Sequence, residues 1–273
     1  MNLSPLVNRP IRVPWFKRVL QAAAFFGAYL IFAVVGSVAS AACLAPAAVL
    51  RGVRAHRTGQ RLIHGLFVFF VSYLRCCGLL KLDASELSVL RDSRGVILVA
   101  NHPCLLDAVL VVSQLPQVVC LMKGSLARNI VLCGTAYLAG YVHNESGLGL
   151  VRKCEQRLRQ GANLLIFPEG TRSIGGQMHP FKMGFALIAS QAQSPVQTII
   201  ITADSSYLGK GWPFFRKPSF PVRYSLRLGK RFVPVPGLDA KSLGGAIESY
   251  FHSVLPKPTE PAMSHESRHQ PHS

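Results

Sequence analysis

His102 is followed five places later by Asp107, in Asn101-His102-Pro103-Cys104-Leu105-Leu106-Asp107. A histidine can take a proton from a hydroxyl near neutral pH. A carboxylate on its other ring nitrogen fixes the tautomer and stabilises the imidazolium that forms. Five residues of regular helix turn about 500°, which leaves two side chains about 140° apart. The pair can therefore meet only if His102 stands outside the helical path, as at a strand-to-helix turn. Taken alone, this spacing is also what a capping histidine and a solvated aspartate would leave. No G-x-S-x-G elbow is present, so a covalent acyl-serine route has little support. A second cluster, Pro168-Glu169-Gly170-Thr171-Arg172-Ser173, is a glycine-containing loop with a guanidinium. Backbone N–H groups and Arg172 could hold an anion there. An ordinary turn with an exposed arginine would read the same.

Both clusters follow short apolar runs. Gly95-Val-Ile-Leu-Val-Ala100 and Asn163-Leu-Leu-Ile-Phe167 read as buried parallel strands. After the first, Pro103 suits an initial helical position with Asn101 or His102 near the cap, and the helix should run from Leu105 to Val112. Before the second, Leu150 to Gln160 reads as a basic amphipathic helix stopped by Gly161. Ile199 to Thr202 is a further strand. Val222, Tyr224, Leu226 and Leu228 alternate with polar residues, as in a strand with one wet face. The expected fold is α/β, a mostly parallel central sheet flanked by helices.

The two clusters together resemble the glycerolipid (lysophospholipid) acyltransferase superfamily, of PlsC-like 1-acylglycerol-3-phosphate O-acyltransferases. Asn101-His102-Pro103 through Asp107 looks like its N-H-x4-D block, and Phe167-Pro-Glu-Gly-Thr-Arg-Ser173 like its F-P-E-G-T-R-S block. Phe181-Lys-Met-Gly184 and Ser194-Pro-Val196 resemble two weaker blocks, and the likeness covers about Leu80 to Phe232. The resemblance implies that His102 is the general base toward an acceptor hydroxyl and that Asp107 orients it. It implies that Glu169, Gly170, Thr171 and Arg172 form the acceptor site, with Lys123 near an acceptor phosphate. The donor would be an acyl thioester, carried by coenzyme A or acyl carrier protein, and no metal or cofactor is implied. The family's G-x-x-F-I-x-R block is matched by Leu138-Ala-Gly-Tyr-Val-His-Asn144, so Asn144 stands where the family has arginine. An asparagine can hydrogen-bond a sugar or an amide. The acceptor is therefore either 1-acylglycerol-3-phosphate or a specialised lyso-lipid with another head group. His143 and His179 read as ordinary loop histidines, Cys104 as a packing residue, and Asp204 has no evident partner.

The 273 residues are 49% hydrophobic and 15% charged, which excludes disorder as the main state. Lys plus Arg number 30 against 12 acids, a formal charge of +18. Such a chain suits nucleic acid or an anionic membrane surface. From Val19 to Leu50 there is no charge, enough for a helix of about 48 Å against a hydrocarbon core of about 30 Å. Arg9, Arg12, Lys17 and Arg18 precede this run, and Arg51, Arg54, Arg57 and Arg61 follow it. A break or kink is expected at Gly36-Ser37 or Pro46, and basic flanks on both sides suit a re-entrant hairpin with both ends cytoplasmic, with a single span as the alternative. Leu62 to Leu74 could lie in the membrane interface or form a buried core helix. Seven cysteines with no C-x2-C spacing argue against zinc and against a disulfide framework.

From Ser205 to Leu238 seven Lys or Arg alternate with aromatics and no acid intervenes. This could dock on a lipid surface, pack as core, or stack single-stranded nucleic acid. Basic residues bracketing apolar helices favour phospholipid over nucleic acid. The expected organisation is a basic segment 1–18, membrane-embedded or interfacial helices 19–80, a catalytic domain 81–255 and a disordered tail 256–273. Such an enzyme would sit in a membrane, the bacterial inner membrane, facing the cytoplasm where acyl thioesters are made. The alternative is a catalytically inactive, membrane-anchored lipid-binding or scaffold protein on the same fold.

Overall fold

The computed structural model describes residues 14–49, 52–124, 129–143, 148–174, 177–235, 237 and 239–255. The tail 256–273 and most of the basic N-terminal segment lie outside them, as does Asn144. Seven strands form one sheet among the described residues: β1 (Leu80–Asp83), β2 (Ile97–Ala100), β3 (Val118–Met122), β4 (Val142–His143), β5 (Asn163–Ile166), β6 (Val196–Ala203) and β7 (Val222–Phe232). Their order is β1-β7-β6-β2-β5-β3-β4. Every neighbouring pair is parallel except β6 with β7. This is the mostly parallel sheet expected from the apolar runs.

β2 shows why such runs must be central strands. Ile97, Leu98, Val99 and Ala100 are all fully buried. Leu98 and Ala100 face one apolar layer, and Ile97 and Val99 face the other. A strand with helices on both faces has no room for a polar alternation. The first layer is made with helices α1 (Trp15–Val49), α2 (Val53–Cys76) and α3 (Asp107–Val112). The second is made with α5 (Leu148–Arg159), α6 (Gly184–Ala192) and α7 (Ala240–Val254), while α4 (Cys133–Leu138) packs against α1 and α2.

Three expectations change. First, α3 begins at Asp107 rather than at Pro103, because Cys104 to Leu106 form a turn between strand and helix. Second, α1 is one continuous helix of 35 residues, running through Gly36-Ser37 and on past Pro46. Gly36 serves close approach instead of a break, since a Cβ there would collide with Val131 of the turn before α4. The same crossing is tightened at Gly134, whose N–H donates to Ser40 Oγ at 2.7 Å. Third, α1 starts at Trp15 and so crosses the expected boundary at residue 18, and the Leu62–Leu74 stretch belongs to α2. There Ile63, Phe70, Val71 and Leu74 enter the core while Phe69 faces outward.

Candidate active site

The site is built where β2 and β5 end side by side. Asn101, buried just past β2, accepts the Ile201 N–H with Oδ1 and donates from Nδ2 to the Ile201 carbonyl, both at 2.8 Å. This extends the β2–β6 pairing by one side chain and fixes the start of the turn. His102 then lies off the helical path, and its Nδ1 comes to 2.8 Å from Asp107 Oδ2. An ionised carboxylate only accepts, so Nδ1 carries the hydrogen and Nε2 keeps its lone pair. The imidazole is stacked on Phe167, with centroids 4.2 Å apart and planes 22° apart, which fixes the ring plane. Its side chain is 18% exposed, so a substrate can reach it, while Asp107 is fully buried.

Asp107 Oδ2 also accepts the Cys104 N–H at 2.8 Å, whereas its Oδ1 is buried with no partner among the described residues. Burial raises the Asp107 carboxyl above the usual carboxylate range, and the hydrogen bond and charge of His102 oppose that rise. Cys104 is buried, bonded by the Tyr224 hydroxyl at 3.0 Å, and its thiol is pushed well up, chiefly by burial. It packs, as the sequence suggested, and is no thiolate nucleophile.

The second cluster meets the first directly. The His102 N–H donates to Glu169 Oε1 at 2.9 Å, and the Ser173 N–H donates back to the His102 carbonyl at 2.9 Å. Glu169 is 3% exposed and also accepts the His179 N–H and the Ser173 hydroxyl. Both its oxygens face protein donors, so Glu169 ties the loop to the His102 turn. Gly170 takes φ 67°, and the Lys182 side chain lies across it where a Cβ would need to be. Lys182 was legible only as part of the weak Phe181-Lys-Met-Gly184 block. Thr171 is half-buried beside it.

Arg172 donates from Nη1 to the carbonyls of Leu208 and Gly209, at 2.8 and 3.1 Å. Among the described residues no carboxylate pairs with this half-buried guanidinium. Its charge is thus available to an anion. Lys123 is exposed at the carboxyl end of β3, and His143 ends β4. Asp204 does have partners, the Arg223 N–H at 2.8 Å and the Arg223 guanidinium at 3.8 Å. The Arg172–Leu208 contact carries no sequence signal, because a backbone oxygen has no letter of its own.

The family model described as Acyltransferase matches residues 81–202. A human 1-acyl-sn-glycerol-3-phosphate acyltransferase beta is 24% identical over 77% of each chain. A 1-acyl-sn-glycerol-3-phosphate acyltransferase of Helicobacter pylori is 31% identical over 40% of this chain and 49% of its own length. Against the second, this chain thus spans about half of the relative. The crystal structure of the 1-acyl-sn-glycerophosphate acyltransferase PlsC from Thermotoga maritima superposes with a TM-score of 0.62, at 20% identity, covering 87% of this chain and 94% of that one. That likeness establishes the fold.

Proposed function

We propose that this acyltransferase is of the PlsC-like glycerolipid superfamily and moves a fatty acyl group from an acyl thioester to a hydroxyl of a lyso-lipid at a membrane surface, a reading supported by the family match over residues 81–202 and by the human relative. The observation that carries this reading is the 2.8 Å bond between His102 Nδ1 and Asp107 Oδ2, with the same imidazole open to substrate. Nε2 takes the acceptor's hydroxyl proton as its oxygen attacks the thioester carbonyl. The tetrahedral intermediate then expels the thiolate, which takes the proton back from the imidazolium and leaves as a thiol. Asp107 stabilises the imidazolium between these steps. No acyl-enzyme forms, so both substrates are present together.

The acceptor we favour is 1-acylglycerol-3-phosphate. Arg172 without a protein carboxylate supports an anionic head group, and the human and Helicobacter pylori relatives bear that substrate in their names. Asn144 in the position of the family arginine favours a second reading, a lyso-lipid with a different head group. The long apolar α1 supports a membrane location, with the site on the cytoplasmic side where thioesters are made. The donor is carried by coenzyme A or by acyl carrier protein.

Thiol release by the purified full chain, with 1-acylglycerol-3-phosphate and a lyso-ornithine lipid tested side by side, and with both donors, distinguishes these readings. Transfer to the phosphate acceptor is expected. Clear preference for the ornithine lipid overturns the acceptor assignment but not the reaction. His102→Ala should abolish transfer while the protein still folds, as judged by a cooperative thermal unfolding transition. Retention of most activity would refute the mechanism.

A further inference from the structure

Leu208 holds the left-handed backbone conformation, with φ 56°. Residues other than Gly, Asn and Asp seldom adopt it, and a branched side chain does so only when its surroundings impose it. The other non-glycine residue with positive φ among those described, Gln193, is an ordinary left-handed stop at the end of α6. Leu208 ends no helix. It lies in the connection between β6 and β7, with its side chain buried in the core.

The conformation has one visible consequence. The Leu208 carbonyl accepts two hydrogen bonds, one from Arg172 Nη1 at 2.8 Å and one from the Leu105 N–H at 3.1 Å. Leu105 lies in the turn between His102 and Asp107. A single peptide oxygen is thus shared by the turn that carries the imidazole and by the guanidinium of the other loop. The following carbonyl, of Gly209, takes a second bond from the same Nη1 at 3.1 Å. The connection passes close over that turn, since a Cβ on Gly209 would lie 3.4 Å from the Pro103 carbonyl oxygen.

We propose that Leu208 is a positioning residue: its left-handed backbone aims a carbonyl that ties the Arg172 guanidinium to the turn between His102 and Asp107 and thereby sets affinity for the acceptor's anionic head group. The second half rests on the reading that Arg172 meets that head group. A merely structural Leu208 makes the opposite prediction for three substitutions. Leu208→Val keeps most of the apolar packing but is β-branched and resists positive φ. Leu208→Asn and Leu208→Gly tolerate positive φ but discard the packing.

The full chain and each variant are assayed with 1-acylglycerol-3-phosphate and acyl-coenzyme A, and unfolding temperatures are recorded. Leu208→Val is expected to raise the acceptor KM about tenfold with kcat within about threefold, and Leu208→Asn and Leu208→Gly to stay within about threefold in both. If Val is the mildest change and the losses follow unfolding temperature, the proposal is overturned. Labelling of Arg172 by phenylglyoxal, followed by peptide mass spectrometry, needs no activity. It should be several-fold faster in Leu208→Val than in the parent or in Leu208→Asn, because the guanidinium is released. An unchanged rate in the Val variant also overturns the proposal. Arg172→Ala with an unaltered acceptor KM would instead remove the acceptor reading, while the labelling still decides whether Leu208 holds the guanidinium.

Discussion

Asp107 serves its chemistry at a cost in stability. It is fully buried, one oxygen has no partner, and burial raises its carboxyl. A group whose native pKa lies above its unfolded value, about 4 for aspartate, contributes most below that value and loses the contribution as pH rises through the native one. Wild type compared with Asp107→Asn should therefore lose thermal stability as pH rises above about 4. The difference in unfolding temperature between the two, measured across that range, checks the sign; a constant difference contradicts it. Activity of the same variant should fall by about 10²- to 10⁴-fold, since an amide cannot stabilise the imidazolium. The His102–Asp107 pair was legible only together with the Pro168–Ser173 cluster, because its spacing alone suits a capping histidine and a solvated aspartate equally well. The hydrogen bonds of Glu169 were not legible. Nothing in the letters says that the His102 N–H and the His179 N–H would consume its two oxygens. Leu208 was not legible at all, because positive φ is usually signalled by glycine.

At the scale of elements, the strands were the most readable part, since full burial on both faces leaves uninterrupted apolar runs. The start of α3 was misread because proline at 103 suits a first helical turn, yet Asp107 bonds the Cys104 N–H and pulls the chain into a separate turn first. α1 was misread because a helix that is apolar on every side shows no period from which its packed face could be told. That face is marked by small residues. A Cβ at Gly134 would overlap the Ser40 carbonyl, whereas one at Gly245 on α7 meets open space. Gly134→Ala should destabilise the protein by about 1–3 kcal/mol through overpacking. Gly245→Ala should stabilise it by about 0.5–1 kcal/mol through helix propensity. Thermal unfolding in detergent compares the two, and equal shifts would show that α1 and α4 do not meet this closely.

Over the whole molecule, charge and apolar surface have separate roles. A formal charge of +18 suits an anionic surface, and screening would weaken such an attraction at high salt. Val19, Leu30, Val34 and Val38 form an outward apolar stripe on α1, and Phe215 stands out beside it from the β6–β7 connection. Retention on phosphatidylglycerol vesicles should survive about 1 M salt, because apolar burial is not screened. Co-sedimentation measures this, and release by salt would mean surface adsorption alone.

The inward side of α1 is bound to the rest of the protein along much of its length. Phe25 and Ala28 are core residues, the Tyr73 hydroxyl donates to the Ala24 carbonyl, the Tyr29 hydroxyl donates to the Phe214 carbonyl, and Ser40 receives the Gly134 N–H. An attempt to make a water-soluble enzyme by cutting the chain after this helix would strip a wall from the building rather than unhook an anchor. The fragment would present Phe70, Tyr207 and Phe220 to water and should aggregate, so purification has to proceed with the helix in place.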